Sequence, residues 1–156
     1  MLKVIGLGNV LRGDDGIGPF IVNKLKDLNV QIPVQLVELD TDPFSILEHL
    51  IGPEPVLIID CAKMGKKPGE IIKFDIKESN LQFADKFISL HSISFSEIYQ
   101  IARNIGSVTK CNIIGVEPKS VNYNTGLSKE IENSVTKILE MVIKEAKYYA
   151  KKDFNN

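Results

Sequence analysis

The chain has 156 residues, of which 44% are hydrophobic and 25% are charged, as is usual for one globular domain. Its 19 basic and 20 acidic residues give a formal net charge of −1 without any sustained basic run, so binding to nucleic acid or to an anionic membrane surface is not expected. No apolar stretch has the length of a signal peptide or a membrane span, and two cysteines, Cys61 and Cys111, are too few for a disulfide framework. We therefore expect a single cytoplasmic domain over residues 1–156, without membrane insertion.

The distribution of apolar residues predicts strands that alternate with helices. Strands are expected at Leu2–Leu7, Val34–Leu39, Pro55–Ile59, Gly69–Phe74 and Lys110–Val116. Helices are expected at Gly16–Leu28, at Phe44–Ile51 behind an Asp42 cap, from Ser94 to about Asn104 behind a Ser94/Glu97 capping box, and from Ser128 onwards as one long helix. This alternation predicts an α/β fold with a doubly wound, mostly parallel five-stranded sheet and helices on both faces.

The fourth predicted strand is expected to run antiparallel at an edge of the sheet. Only residues 61–68 separate it from the third strand, which is too short for a parallel crossover of about a dozen residues. Ligands of such sheets bind at the carboxyl ends of the parallel strands, where the strand order reverses. We expect the loops after the first, third and fourth strands to lie near this edge.

The glycine-rich loop from Gly6 to Gly18 does not match the dinucleotide-binding fingerprint. The third glycine of the fingerprint would fall at Leu11, and Asp14 and Asp15 stand at the start of the helix, where a pyrophosphate would otherwise lie. A nucleotide cofactor is therefore disfavoured. One acid suffices to stabilise the helix N-terminus, and we assign that role to Asp14. Because paired carboxylates raise each other's pKa unless a cation lies between them, Asp15 is a candidate metal ligand.

Two later segments contain further candidate ligands. Asp60 ends an apolar strand, where a carboxylate must lie at the edge of the sheet or be paired; capping of the next turn is the alternative role. His91 precedes a helix, whereas the other histidine, His49, lies within a short helix beside Glu48 and is expected to be solvated. Two carboxylates and an imidazole make a mixed oxygen and nitrogen site that suits nickel, zinc, iron or manganese. Cys61 is a weaker candidate ligand, because free cysteines mostly behave as small buried hydrophobes.

At these residues the sequence resembles the endopeptidases that mature [NiFe] hydrogenases. Four ordered blocks carry the resemblance: Gly8–Gly18, with the pattern Gly-Asn-x-Leu-x-x-Asp-Asp-Gly-x-Gly, then Leu57–Glu70, Ser89–Ser92 and Ile114–Pro118. The resemblance extends from about residue 3 to the final helix. It is closest to the branch that serves formate-linked, energy-converting hydrogenases.

The resemblance implies a metal-binding and catalytic trio of Asp15, Asp60 and His91. It implies a hydrolase that removes a carboxyl-terminal extension from the large-subunit precursor of a [NiFe] hydrogenase after nickel has been inserted. The divalent metal would then be nickel supplied by the precursor, and no nucleotide would be needed.

The resemblance also implies that Gly8, Asn9 and Glu38 contact the substrate. Two departures from the family pattern bear on substrate identity more than on reaction type. Leu39 and Asp40 replace two glycines that usually follow the acid at Glu38, and Lys63 stands where an acid is common.

The attacking group is expected to be water, because no Ser-His-Asp or Cys-His arrangement is evident. The metal or a carboxylate such as Asp15 would activate this water, and the sequence does not decide between them. Two other classes remain open. One is a non-enzymatic metal or precursor chaperone that uses the same trio, and the other is a nucleotide-binding oxidoreductase, which Leu11 and Asp15 disfavour.

Overall fold

The computed structural model describes residues 1–88, 90 and 92–154. In this part of the chain, five strands form one sheet in the order β2-β1-β3-β5-β4: β1 (Leu2–Leu7), β2 (Val34–Leu39), β3 (Val56–Cys61), β4 (Ile71–Asp75) and β5 (Cys111–Val116). The first three of these and β5 are mutually parallel, and β4 pairs antiparallel with β5 at an edge. The predicted α/β fold with an antiparallel edge strand is confirmed.

Helices cover both faces of the sheet, as predicted. One face is covered by α1 (Ile17–Asp27), α5 (Lys129–Glu132) and α6 (Val135–Phe154), and the other by α2 (Pro43–Leu50), α3 (Leu81–Ala84) and α4 (Phe95–Ile105). Strand residues alternate between the two cores: Leu57 and Ile59 pack with α1 and α6, whereas Ile58 packs with α2 and α4. Among the described helices, none is both long enough and apolar enough to cross a membrane.

The predicted helix caps at Asp42 and Ser94 are confirmed, but the predicted single final helix is interrupted. The Ser134 hydroxyl donates to the carbonyl oxygens of Gly69 (2.8 Å) and Glu130 (3.1 Å). These hydrogen bonds lie at the break between α5 and α6, and they join the break to the loop that precedes β4. Helical spacing alone could not reveal this contact, because Gly69 is remote in sequence.

The segment after β4 lies near the ligand-binding edge, as expected, only at its far end. Because β4 runs antiparallel, its last residue, Asp75, pairs with Asn112 near the start of β5, at the opposite edge of the sheet. A 3₁₀ turn at Glu78–Asn80 and α3 follow, and the chain has returned to the carboxyl edge at Leu90. The chain therefore reaches the ligand-binding edge only after α3, because β4 itself ends at the opposite edge.

The start of α1 lies directly against the sheet. A Cβ atom at Gly18 would lie only 2.5 Å from the carbonyl oxygens of Leu7 and Ile59, and one at Gly6 only 2.3 Å from the carbonyl oxygen of Gly18. No residue larger than glycine fits such a backbone approach without displacing the helix. The glycines of this loop thus serve close packing between helix and strand.

A strap, defined as residues 117–128, follows β5 and is held against the first loop by Asp14. The Asp14 carboxylate is 1% exposed and accepts hydrogen bonds of 2.7–3.1 Å from the N–H groups of Lys119, Ser120 and Ser128 and from the Ser128 hydroxyl. Burial alone would raise the pKa of Asp14, but these hydrogen bonds outweigh it and lower the pKa below its ordinary value. The predicted role of Asp14 at the N-terminus of α1 is wrong: Asp14 lies in a 3₁₀ turn, Gly13–Gly16, that precedes α1, and its carboxylate binds the strap.

Replacing Asp14 by Asn is expected to lower the free energy of unfolding by about 2–3 kcal/mol, because an amide accepts fewer hydrogen bonds and its NH₂ group would face N–H donors. The lowered pKa in the folded state means that the carboxylate stabilises the fold fully above its unfolded pKa of about 4 and loses this effect as the pH falls through the folded value. Urea denaturation at a series of pH values checks both effects. The variant should lose less stability than the wild type below about pH 4.

The matched control is Asp27→Asn, which changes an exposed acid at the end of α1. It should stay within about 0.5 kcal/mol of the wild type. Equal stability of Asp14→Asn and wild type at neutral pH would contradict the anchoring role.

Candidate functional site

A cleft of about 460 Å³ opens at the carboxyl edge of the sheet, where β1 and β3 lie side by side and the strand order reverses. It is bounded by the segments that follow β1, β2 and β3, by the turn after α3 and by the strap. The lining residues are Asn9, Arg12, Asp15, Asp40, Thr41, Cys61, Lys63, Lys86, Leu90, Val121 and Tyr123. The cleft therefore lies where the strand order predicts a ligand site.

Asp15 is half-buried and lines this cleft. Its Oδ2 atom accepts a hydrogen bond of 2.8 Å from the N–H of Asn9. Gly8 makes this tight fold possible, because its φ of +134° is accessible mainly to glycine and a Cβ atom there would lie 2.0 Å from the carbonyl oxygen of Asp15. Within the described residues Asn9 is the only hydrogen-bond donor to this carboxylate, so Asp15 retains acceptor capacity for a ligand.

Asp60 belongs to β3 itself, which extends two residues beyond its predicted end. It is 3% exposed, and its Oδ1 atom accepts a hydrogen bond of 2.7 Å from the N–H of Cys61. The alternation of the strand places Asp60 on the same face as Ile58, which is the face packed against α2 and α4. Leu90 packs against the same core, so the segment that returns from β4 passes on the Asp60 side of the sheet.

Four carboxylates contribute to a raised pKa of the Cys61 thiol. Burial raises the pKa of this thiol, and the negative charges of Asp60, Asp15, Asp14 and Glu117 raise it further. The thiol is therefore protonated at neutral pH in the free protein, which disfavours a thiolate nucleophile and a soft metal ligand. The same shift indicates that acidic groups from the β1, β3 and β5 segments share one neighbourhood.

His91, the third member of the predicted trio, lies outside the described residues, as does Ser89. Among the residues that are described, no three side chains of histidine, cysteine, aspartate or glutamate are placed to hold a metal ion. Asp15 and Asp60 offer oxygen ligands that fit a first-row divalent metal, but they would need His91 or groups of a partner to complete a site. The trio stays a prediction.

The other histidine, His49, is half-buried in α2 rather than solvated as expected. Burial and the charge of Lys3 lower its pKa, so the imidazole is neutral near physiological pH. The Lys3 ammonium donates to the backbone carbonyl of His49 at 3.0 Å. His49 does not line the cleft.

The predicted substrate-contacting residues lie in different settings. Asn9 lines the cleft, and Gly8 shapes the loop that carries Asn9 and Asp15. Glu38 is exposed on β2 beside an adjoining groove, where its carboxylate pairs with the Lys26 ammonium at 2.8 Å. Contact of these residues with a substrate remains a prediction.

Arg12, Tyr123 and Lys86 are among the cleft residues that were not recognised from the sequence as functional candidates. The Arg12 guanidinium carbon lies 5.9 Å from the centre of the Tyr123 ring, and Tyr123 on the strap is 87% exposed. An exposed aromatic between Asn122 and Asn124 in a long loop is a usable signal for a binding position. Lys86 gives no such signal, because its position depends on the path of the chain after β4.

The family model described as hydrogenase maturation protease matches residues 19–145, a span that includes Asp60 and His91 and begins just after Asp15. The hydrogenase 2 maturation protease of Escherichia coli is 27% identical over 146 residues, which cover 91% of this chain and 88% of that protein. The solved structure of the E. coli hydrogenase maturating endopeptidase HybD superposes with a TM-score of 0.80 at 25% identity, over 95% of this chain and 93% of that one.

A second solved structure, the [NiFe] hydrogenase maturation protease HybD of Thermococcus kodakarensis, has a TM-score of 0.75 at 26% identity, over 93% of this chain and 98% of that one. The fold and the family match therefore agree along most of the molecule. The chain belongs to the hydrogenase maturation protease family, a family of endopeptidases.

Proposed function

We propose that this chain removes a carboxyl-terminal extension from the large-subunit precursor of a [NiFe] hydrogenase after nickel has been inserted. The observation that carries the proposal is the half-buried carboxylate of Asp15 at the cleft, in a chain of the hydrogenase maturation protease family. Relatives of this chain are named as [NiFe] hydrogenase maturation proteases, which supports a precursor of such a hydrogenase as the substrate.

The nickel in this proposal belongs to the substrate. Asp15 and Asp60, together with His91, would bind the nickel of the loaded precursor and so place the peptide bond that follows the metal-binding segment in the cleft. Carboxylate and imidazole ligands suit nickel, and a substrate-borne metal completes a site that the described residues do not complete alone.

Electrostatic repulsion between carboxylates would make binding and cleavage depend on the nickel of the precursor. Two carboxylates about 4 Å apart repel each other by about 4 kcal/mol at an effective dielectric constant of about 20. A nickel-bearing segment relieves repulsion between Asp15 and Asp60, whereas an empty segment does not. The protein should therefore bind the loaded precursor more tightly than the empty one without a separate sensor.

Water is the proposed nucleophile. The Cys61 thiol, with its raised pKa, is a poor alternative in the free protein. Water would add to the scissile carbonyl carbon as its proton passes to a base, and the C–N bond would then break as the leaving amine takes up a proton. Asp15 has the acceptor capacity to serve as this base, and the substrate's nickel is the competing activator.

Nickel-gated cleavage is the first expected outcome. Purified protein incubated with nickel-loaded precursor should shorten it by the carboxyl-terminal extension, while nickel-free precursor should be cut at least about 100-fold more slowly, a ratio that needs a difference of only about 2.7 kcal/mol. Mass spectrometry of the intact large subunit checks this. Equal cutting of both forms would refute the gating, and tight binding of the loaded form without any cutting would favour a chaperone.

Substitutions in the trio should separate activity from folding. Asp15→Asn and His91→Ala should each lower the rate of processing by at least about 100-fold, because each removes a ligand or base from the reaction. Asp15→Asn should keep the wild-type melting temperature, because the carboxylate receives one hydrogen bond from the described residues and lies at the edge of the sheet.

His49→Ala is the matched control for His91→Ala. His49 lies away from the cleft, so the rate of processing should stay within about twofold of the wild type, with at most a modest loss of stability. Full activity of either trio variant in the mass-spectrometric assay would remove that residue from the mechanism.

A further inference from the structure

Among the described residues that line the cleft, two are acids, Asp15 and Asp40, and three are cations, Arg12, Lys63 and Lys86. Arg12 shares the first loop with Asp15 and lies over the Tyr123 ring. The two acids come from the loops after β1 and β2, and each accepts a backbone hydrogen bond of 2.8 Å. The two lysines come from the segments after β3 and α3 and are exposed. No carboxylate of the described chain lies within ion-pair distance of either ammonium group.

The backbone at Lys63 is fixed on both sides. The N–H of Ala62 donates to the carbonyl oxygen of Val116 at 2.9 Å, and the N–H of Met64 donates to the buried carboxylate of Glu117 at 2.5 Å. Lys63 thus lines the cleft from a segment at the end of the sheet whose backbone is held by hydrogen bonds.

The backbone at Lys86 is fixed as well. Its N–H donates to the carbonyl oxygen of Phe83 at 3.1 Å. The side chain of the preceding residue, Asp85, accepts hydrogen bonds from the N–H and the hydroxyl of Ser96 at 2.8 and 2.7 Å. The Asp85 carboxylate therefore joins this segment to the start of α4. The two lysines therefore line the cleft without ionic partners among the described residues, on backbone that the fold holds in place. The Lys86 ammonium also lies 6.0 Å from the centre of the Phe83 ring.

We propose that Lys63 and Lys86 bind carboxylate groups of the precursor's carboxyl-terminal extension. This inference rests on the proposed function and names the part of the substrate that the two lysines bind. The metal-bearing segment would contact Asp15 and Asp60, and carboxylates of the extension would contact the two lysines, so charge helps to orient the scissile segment before cutting. The carboxylates are the terminal α-carboxylate, acidic side chains of the extension, or both.

Binding of an extension peptide tests the proposal without requiring cleavage. The probe is a fluorescein-labelled peptide with the carboxyl-terminal residues of the large-subunit precursor from the same organism, made as free acid, as terminal amide and with its acidic side chains changed to amides. Fluorescence anisotropy should give a Kd that is about 3- to 10-fold higher for Lys63→Gln/Lys86→Gln than for wild type at low salt. High salt should reduce this difference, because it screens exposed charges.

The matched control is Lys67→Gln, which changes an exposed lysine beyond Lys63 that does not line the cleft. It should bind like wild type. The peptide with a terminal amide should bind more weakly if the α-carboxylate is the ligand. The peptide with side-chain amides should bind more weakly if the acidic side chains are the ligands. Both lysine substitutions change exposed side chains, so unchanged melting temperatures should exclude loss of folding.

Cleavage of the nickel-loaded precursor gives the second readout. The double variant should raise KM by a similar factor and leave kcat within about twofold, as expected for lost ground-state binding. Equal Kd and equal KM in wild type and double variant, or no measurable peptide binding by wild type, would overturn the proposal. Peptide binding that depends on the lysines, without cleavage by wild type, would instead refute the proposed peptidase function alone.

Discussion

The structure must accommodate several carboxylates that approach one another at the carboxyl ends of β1, β3 and β5. The negative charges of Asp14, Asp15, Asp60 and Glu117 all raise the pKa of the buried Cys61 thiol, and like charges in one neighbourhood are costly unless they are compensated. The fold compensates them with backbone N–H groups: Asp14 accepts from the strap, Glu117 from the segment after β3, Asp15 from the first loop and Asp60 from its neighbour. Anionic groups thereby become anchors of the loops that form the cleft.

The same anchors determine which side chains reach the cleft. The carboxylate of Asp14 holds the strap that carries Tyr123, and that of Glu117 fixes the segment that carries Lys63. Asp15 makes a single described hydrogen bond and lines the cleft, which is why we assign its carboxylate, together with that of Asp60, to the substrate's metal. Asp14 accepts four described hydrogen bonds and Asp15 accepts one, so the two neighbouring acids differ in how fully the protein satisfies them, a distinction that residue type alone does not give.

The sequence predicted those features that depend on local patterns. The bounds of β1 and β2, the caps at Asp42 and Ser94 and the direction of β4 followed from hydrophobic runs, capping preferences and loop length. The break between α5 and α6 and the strap contact of Asp14 could not follow, because both depend on hydrogen bonds between residues far apart in sequence. Lys86 was missed for the same reason. The like-charge argument pointed to Asp15, which lines the cleft, and its role as a metal ligand stays a prediction.

We propose that carboxylates of this protein bind the nickel that the precursor carries. X-ray absorption at the nickel edge measures this directly, on loaded precursor alone and on its complex with the protein, freeze-quenched before cleavage. We expect additional oxygen or nitrogen ligands at about 2.0–2.2 Å from nickel in the complex, and fewer of them with Asp15→Asn. An identical nickel coordination shell with and without the protein would contradict it.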